Sequence, residues 1–116
     1  MKFYGYDRCS TCRKAKKFLA DRKIPFENID ITINPPPKRL LKQIVSSGAY
    51  TIGRLFNTSG LLYREMKIKD IFKELSEEKL IDLLSQNGKL IKRPVITDGV
   101  SITVGFNEVK MKEHWR

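Results

Sequence analysis

Lys2-Phe3-Tyr4-Gly5-Tyr6 is a short aromatic run that suits a buried strand. Asp7-Arg8 follows, and Cys9-Ser10-Thr11-Cys12 then opens a stretch with helical character to about Lys23. This succession of strand, turn and helix start constrains the fold most, and it holds both cysteines of the chain. Along the helix Cys12, Ala15, Phe18 and Leu19 recur at helical spacing, while Arg13, Lys14, Lys16 and Lys17 fill the outer face. A thiol at such a helix start feels the positive end of the helix dipole and unpaired backbone N–H groups. Arg8, Arg13 and Lys14 are its neighbours in sequence, and all of these favour thiolate. A free cysteine of pKa about 8.5 is roughly 3% thiolate at pH 7, whereas one tuned to about 7 is near half ionised and well placed to attack a disulfide. Cys9 is therefore expected to have a lowered pKa and to attack. Cys12, one turn on, is expected to keep its proton and to resolve the mixed disulfide. The i, i+3 spacing brings the pair within reach of an intramolecular bond.

Lys23-Ile24-Pro25 ends the first helix, and Phe26–Ile31 reads as a second strand. A strand–helix–strand unit of this length implies a right-handed crossover and a parallel pair. Asn34-Pro35-Pro36-Pro37 breaks the chain. Asn34 is the expected cap of the next helix, with a proline at its first position. That helix carries Leu40, Leu41, Ile44 and Val45 and stops near Gly48. Tyr50–Phe56 and Leu61–Met66 read as short helical pieces around an Asn57-Thr58-Ser59-Gly60 turn. Ser76 is expected to cap a helix with Leu80, Ile81, Leu83 and Leu84, ending at Asn87-Gly88. Val95-Ile96-Thr97 and Val100–Val104 predict a hairpin about a two-residue Asp98-Gly99 turn. Gly105 then bends the chain into a last helix from about Asn107, with Val109, Met111 and Trp115 inward. No repeat, low-complexity tract or linker divides the chain. A single domain over 1–116, with a helical insertion at about 35–88, is expected.

At 116 residues the chain can bury a core without staples. No apolar run approaches a membrane span and the N-terminus lacks a signal-peptide pattern, so a cytoplasmic location away from membranes is expected. Structural disulfides are rare there, which makes a close cysteine pair redox-active or metal-binding. A closed zinc site needs four donors. The chain offers two cysteines and a distant His114, so neither a metal nor another cofactor is expected. The net charge of +10 is spread over several helices and reads as a solvated surface, not a nucleic-acid face.

The order β-α-β, helical insertion, β-β-α is similar to the thioredoxin-like α/β fold, with a mixed four-stranded sheet. In that fold the proline before the third strand, here Pro94, is commonly cis and faces the cysteine pair. Four motifs sharpen the likeness: Cys9-x-x-Cys12-Arg13-Lys14-Ala15; Phe56-Asn57-Thr58-Ser59-Gly60 with Tyr63-Arg64-Glu65; Leu90-Ile91-Lys92-Arg93-Pro94-Val95; and Val104-Gly105-Phe106-Asn107-Glu108. Together they resemble the arsenate-reductase-like (ArsC/Spx/MgsR) branch of the thioredoxin superfamily, specifically its Spx/MgsR-like group, over essentially the whole chain. The resemblance implies that Cys9 is the nucleophile, Arg13 an arginine of the active-site loop, and Arg93 the arginine near the thiolate. It also implies that Pro94, Ser10 and Thr11 meet the substrate. Glutaredoxin-coupled arsenate reductases hold their oxyanion with three arginines. Only Arg93 has a counterpart, since Asn57 and Gly105 stand at the other two positions, and Cys12 replaces their usual serine. Two lost guanidinium forks remove most of the charge-assisted anion binding, so arsenate reduction is not expected.

Two functions follow from the resemblance. One is a thiol–disulfide oxidoreductase using Cys9 and Cys12, as a monomer, with a thiol or disulfide substrate and with thioredoxin, glutaredoxin or a low-molecular-weight thiol as reductant. The other is a redox-sensing regulator that binds the C-terminal domain of the RNA polymerase α-subunit; in such relatives that contact falls on the region of Gly48 to Arg54. Rival readings stand beside the site residues. Cys12 is either the resolving thiol or a small core residue. Arg13 is either a site residue or a solvated helix residue. Arg93 either serves the sulfur or closes the insertion against the sheet. Asn57 and Ser59 read as turn formers, and His114 and Trp115 as helix-end packing and solvent contact.

Overall fold

The structure is a computed structural model in which residues 1–115 are described. In chain order its elements are β1 (Lys2–Gly5), α1 (Ser10–Asp21), β2 (Glu27–Asp30), α2 (Lys38–Ser46), α3 (Leu61–Glu65), α4 (Ile68–Ile71), α5 (Glu77–Gln86), β3 (Val95–Thr97), β4 (Ile102–Val104) and α6 (Glu108–His114). Short 3-10 turns lie at Ile52–Leu55, Phe72–Glu74 and Gly88–Leu90. Two compact units emerge: Met1–Ile31 with the chain from Arg93 onward, and Thr32–Lys92.

The first unit carries a mixed four-stranded sheet of order β2-β1-β3-β4, the thioredoxin-like arrangement. β1 runs parallel to β2, with Phe3 opposite Asn28, and antiparallel to β3, with Phe3 opposite Ile96. β3 and β4 are antiparallel, with Ile96 opposite Thr103. Because strand side chains alternate faces, Phe3 and Ile96 share one. They join Cys12, Ala15, Phe18 and Leu19 of α1, Met111 of α6, and Trp115 in one buried cluster. Burying side chains of this size contributes about 1.5–3 kcal/mol each. The Trp115 indole N–H donates to Thr103 Oγ1 at 3.0 Å, which satisfies a buried donor. Trp115 is thus core, and only His114 faces solvent.

α1 ends in a Schellman motif. Ile24 N–H donates to Leu19 O and Lys23 N–H to Ala20 O, both at 3.0 Å, and Lys23 (φ 57°) takes the left-handed position that glycine usually holds. β2 and β3 bracket the second unit in sequence, and the Arg93–Pro94 peptide bond before β3 is cis. The hairpin differs from the expected one. Asp98 N–H donates to Ser101 O, and Gly99 and Val100 form the tip. The Asp98 carboxylate accepts from the N–H groups of Val100 and Ser101 at 2.9 and 2.7 Å, which moves the turn one residue on and leaves Val100 exposed. α6 begins just after Asn107, about where the last helix was expected to start, and Asn107 caps it, its side chain accepting from Lys110 N–H at 3.1 Å. Val109, however, is exposed. Met111 and Trp115 are four residues apart and share the inward face, whereas a residue two before Met111 points away.

In the second unit α2 packs alongside α5, and Lys38 pairs with Asp82 across them. Leu41 and Ile44 of α2 and Leu80, Ile81 and Leu84 of α5 are buried. Asn34 is not the cap of α2. The residue before a proline is biased away from helical dihedrals, so Asn34, Pro35 and Pro36 stay outside the helix, and Pro37 occupies the cap position instead. Gly48 (φ 78°) ends the helix as expected. Ser76 Oγ accepts from Lys79 N–H at 3.2 Å and starts α5, which buries Leu84 but leaves Leu83 half-exposed. An antiparallel bridge joins Phe56 and Ile91, flanked by Asn57 N–H to Leu90 O and Lys92 N–H to Leu55 O.

Candidate active site

The first unit builds the site from β1, the start of α1 and the residues before β3. Tyr6, Asp7 and Arg8 turn the chain, with Cys9 N–H donating to Tyr6 O at 3.0 Å. Cys9 occupies the N-cap position of α1 in an extended conformation, and its carbonyl accepts from Arg13 N–H at 3.1 Å. It is thus one step outside the helix, and Cys12 is the third helical residue. Gly5 makes room for Cys12, since a Cβ at Gly5 would sit 3.3 Å from the Cys12 sulfur and 2.5 Å from the Phe3 ring. Both cysteines are free thiols.

The two sulfurs lie in opposed environments. Cys9 is half-buried, and burial pushes its thiol up. That effect is outweighed by the Thr11 hydroxyl at 2.9 Å, the Cys12 backbone N–H, the Cys12 thiol and the charge of Arg93, which together hold Cys9 below its ordinary value. Cys12 is fully buried, and burial pushes it up to about 12. Tyr6 N–H, 3.4 Å from the Cys12 sulfur, works the other way, but the hydrogen bond with Cys9 and the Cys9 charge add to the rise. The cation acting on both sulfurs is Arg93.

The residues singled out from sequence do not all converge. Thr11 Oγ1 touches the Cys9 sulfur and donates to Arg93 O at 3.2 Å. The Arg93 guanidinium lies 5.5 Å from the centroid of the Tyr6 ring. Pro94 is buried, and its carbonyl accepts from Gly105 N–H at 2.9 Å. Ser10 is exposed at the first position of α1. Arg13 projects from α1 into solvent and, among the described residues, makes no ion pair; Arg8 and Lys14 are equally exposed. Asn57 lies in the second unit within its own turn, accepting from Ser59 Oγ at 3.3 Å. Sequence reasoning passed over Tyr6, whose N–H meets Cys12 and whose ring meets Arg93. An aromatic residue at the end of a strand carries no local mark of either contact. It also passed over Lys16, which pairs with Asp7 at 3.0 Å and braces the cysteine turn against α1.

Among the described residues no group of three or more His, Cys, Asp or Glu side chains could hold a metal ion, and no helix is long and apolar enough to cross a membrane. The arrangement offers one ionisable sulfur at the surface, a second protonated sulfur beneath it, and a guanidinium near both. That set suits sulfur exchange more than oxyanion binding, for which a single arginine provides one fork.

Comparison with known proteins gives the family. The chain is 42% identical over 113 residues to the uncharacterised protein YusI of Bacillus subtilis, covering 97% of this chain and 96% of YusI. It is 33% identical over 104 residues to the global transcriptional regulator Spx of Streptococcus agalactiae, covering 90% of this chain and 74% of that protein. A crystal structure from Bacteroides fragilis, named as an ArsC family related protein, superposes with a TM-score of 0.90 at 36% identity, over 97% of this chain and 94% of that one. The family model for the ArsC family matches residues 4–114. Matched over nearly its whole length, with its cysteine pair at the strand–helix junction, the chain belongs to the ArsC family.

Proposed function

We propose that this protein is a thiol–disulfide oxidoreductase in which Cys9 attacks and Cys12 resolves. The observation that carries the reading is the opposed ionisation of two thiols three residues apart, Cys9 lowered and Cys12 raised. The Cys9 thiolate attacks one sulfur of a substrate disulfide, forms a mixed disulfide, and releases the other sulfur as a thiolate that takes a proton from water. Cys9 has then lost its negative charge, so two of the influences that keep Cys12 protonated disappear. Cys12 gives up its proton, attacks the Cys9 sulfur, and releases the second substrate thiol. The substrate has gained two electrons, and the protein carries the Cys9–Cys12 disulfide. A cytoplasmic reductant, whether thioredoxin, glutaredoxin or a low-molecular-weight thiol, returns it to the dithiol.

The test is a Cys12→Ser variant, which should stall as a mixed disulfide through Cys9. The captured thiol identifies the substrate. No trapped species with Cys12→Ser, or equal trapping with Cys9→Ser, would overturn the reading. In a glutaredoxin-coupled assay arsenate should turn over little or not at all, because Asn57 and Gly105 supply no guanidinium.

A second reading is favoured by the Spx relative: a redox-sensing regulator that contacts the C-terminal domain of the RNA polymerase α-subunit, with the cysteine pair as sensor. Pull-down with that domain, using oxidised and reduced protein, separates the two. The regulator reading expects capture that depends on the redox state, and the oxidoreductase reading expects none.

A further inference from the structure

Thr11 stands between two acceptors. Its hydroxyl oxygen lies 2.9 Å from the Cys9 sulfur and 3.2 Å from the Arg93 carbonyl oxygen. A threonine hydroxyl has one proton to donate, so it serves one acceptor at a time. While Cys9 is a thiol, its S–H donates to Thr11, and Thr11 donates to Arg93 O. Once Cys9 has released its proton to solvent, the sulfur is purely an acceptor. Hydrogen bonds to an ionised group are roughly twice as strong as neutral ones, so the sulfur outcompetes the carbonyl.

We propose that Thr11 is a positioning residue that turns its hydroxyl from the Arg93 carbonyl to the Cys9 sulfur as Cys9 ionises. Forming the nucleophile thereby releases the carbonyl of the peptide bond leading into Pro94, beside the sulfur, and opens it to a donor on the incoming substrate. The contact joins residues 82 apart in sequence, so it couples α1 to the segment before β3. The other titratable or charged groups facing Cys9 are Cys12 on α1 and Arg93 before β3. Arg8 and Arg13, on either side of Cys9 in sequence, are exposed. The proposal rests on Cys9 being the attacking sulfur.

Two measurements test it on the full chain. The first is the pH profile of Cys9 alkylation by iodoacetamide, in wild type, Thr11→Val and Thr11→Ser. Valine keeps the branched shape and removes the donor, and should raise the midpoint by about one pH unit, which is roughly tenfold less thiolate at a pH below it. Serine should restore the wild-type profile. Superimposable profiles for Val and wild type would overturn the proposal. The second is the carbonyl carbon resonance of Arg93. Wild type and Thr11→Val should differ below the Cys9 midpoint and coincide above both midpoints, where neither chain donates to that carbonyl. A difference that persists unchanged at high pH would overturn the switch. These readouts need no turnover. Moved profiles in a protein that reduces no disulfide would support the switch and remove the oxidoreductase reading. Unmoved profiles in an active enzyme would do the reverse.

Discussion

In the sheet-bearing unit, Phe3 lies opposite Asn28 on one side and Ile96 on the other, so its core is assembled from segments far apart in the chain. In the unit from Thr32 to Lys92, the helix ends are set locally, by a proline run before α2, Gly48 after it and a Ser76 cap on α5, while α2 packs on α5 and Phe56 bridges Ile91. The chemistry follows the same division. Both thiols, and the Arg93 charge that acts on them, belong to the first unit, and the second contains no cysteine. The comparison teaches that what lowers Cys9 is the Thr11 hydroxyl and the Cys12 N–H and thiol on the first turn of α1, with Arg93 from the distant segment before β3 adding the least, rather than the basic residues that flank it in sequence.

The largest effect that probes this division comes from the second unit's core. Leu84 is fully buried, and Leu84→Ala should cost about 2–5 kcal/mol of stability by thermal or denaturant unfolding. The Cys9 alkylation midpoint, read where that variant is still folded, should not move. A shifted midpoint would break the comparison. A second effect, of comparable size, belongs to Cys12, which is held up to about 12 from an ordinary 9.0. The folded chain then keeps a proton that the unfolded chain releases. The stabilisation is complete below pH 9.0 and is lost as pH rises towards about 12. Cys12→Ala should therefore lose stability less steeply than wild type across that window, and parallel curves would show that Cys12 does not titrate as described. The smallest effect is that of Arg93, the least of the influences lowering Cys9. Arg93→Ala should raise the Cys9 midpoint by less than Thr11→Val does, while stability stays within about 0.5 kcal/mol of wild type. An equal or larger shift would make the guanidinium, and not the hydroxyl, the main support of the thiolate.

Much of the fold could be read locally. The apolar face of α1, the four strands, the Ser76 cap, the start of α6 near Asn107 and the glycine after α2 all carry their own marks in neighbouring residues. What escaped local reading had identifiable physical causes. The prolines kept Asn34 from capping, the Asp98 carboxylate moved the hairpin turn, and α4 begins from Lys67 in a left-handed conformation that nothing in a lysine announces. At the site, the cysteines were evident from spacing and charge. The backbone N–H groups of the helix start and Thr11 were also named, but the contact of Thr11 with the Arg93 carbonyl was not legible, because it exists only after β1, α1 and β3 have come together. Arg8, Arg13 and Lys14 looked like the natural source of thiolate stabilisation, but adjacency in sequence left them in solvent.

The central claim is that two thiols three residues apart are driven in opposite directions, Cys9 lowered and Cys12 raised. Alkylation with iodoacetamide across pH, followed by peptide mass spectrometry that resolves both cysteines in one sample, measures it directly. Cys9 should react with a midpoint below the ordinary value of 9.0, while Cys12 stays unmodified until far more alkaline conditions. Two cysteines titrating together, or a Cys9 that titrates like the free amino acid, would contradict the account.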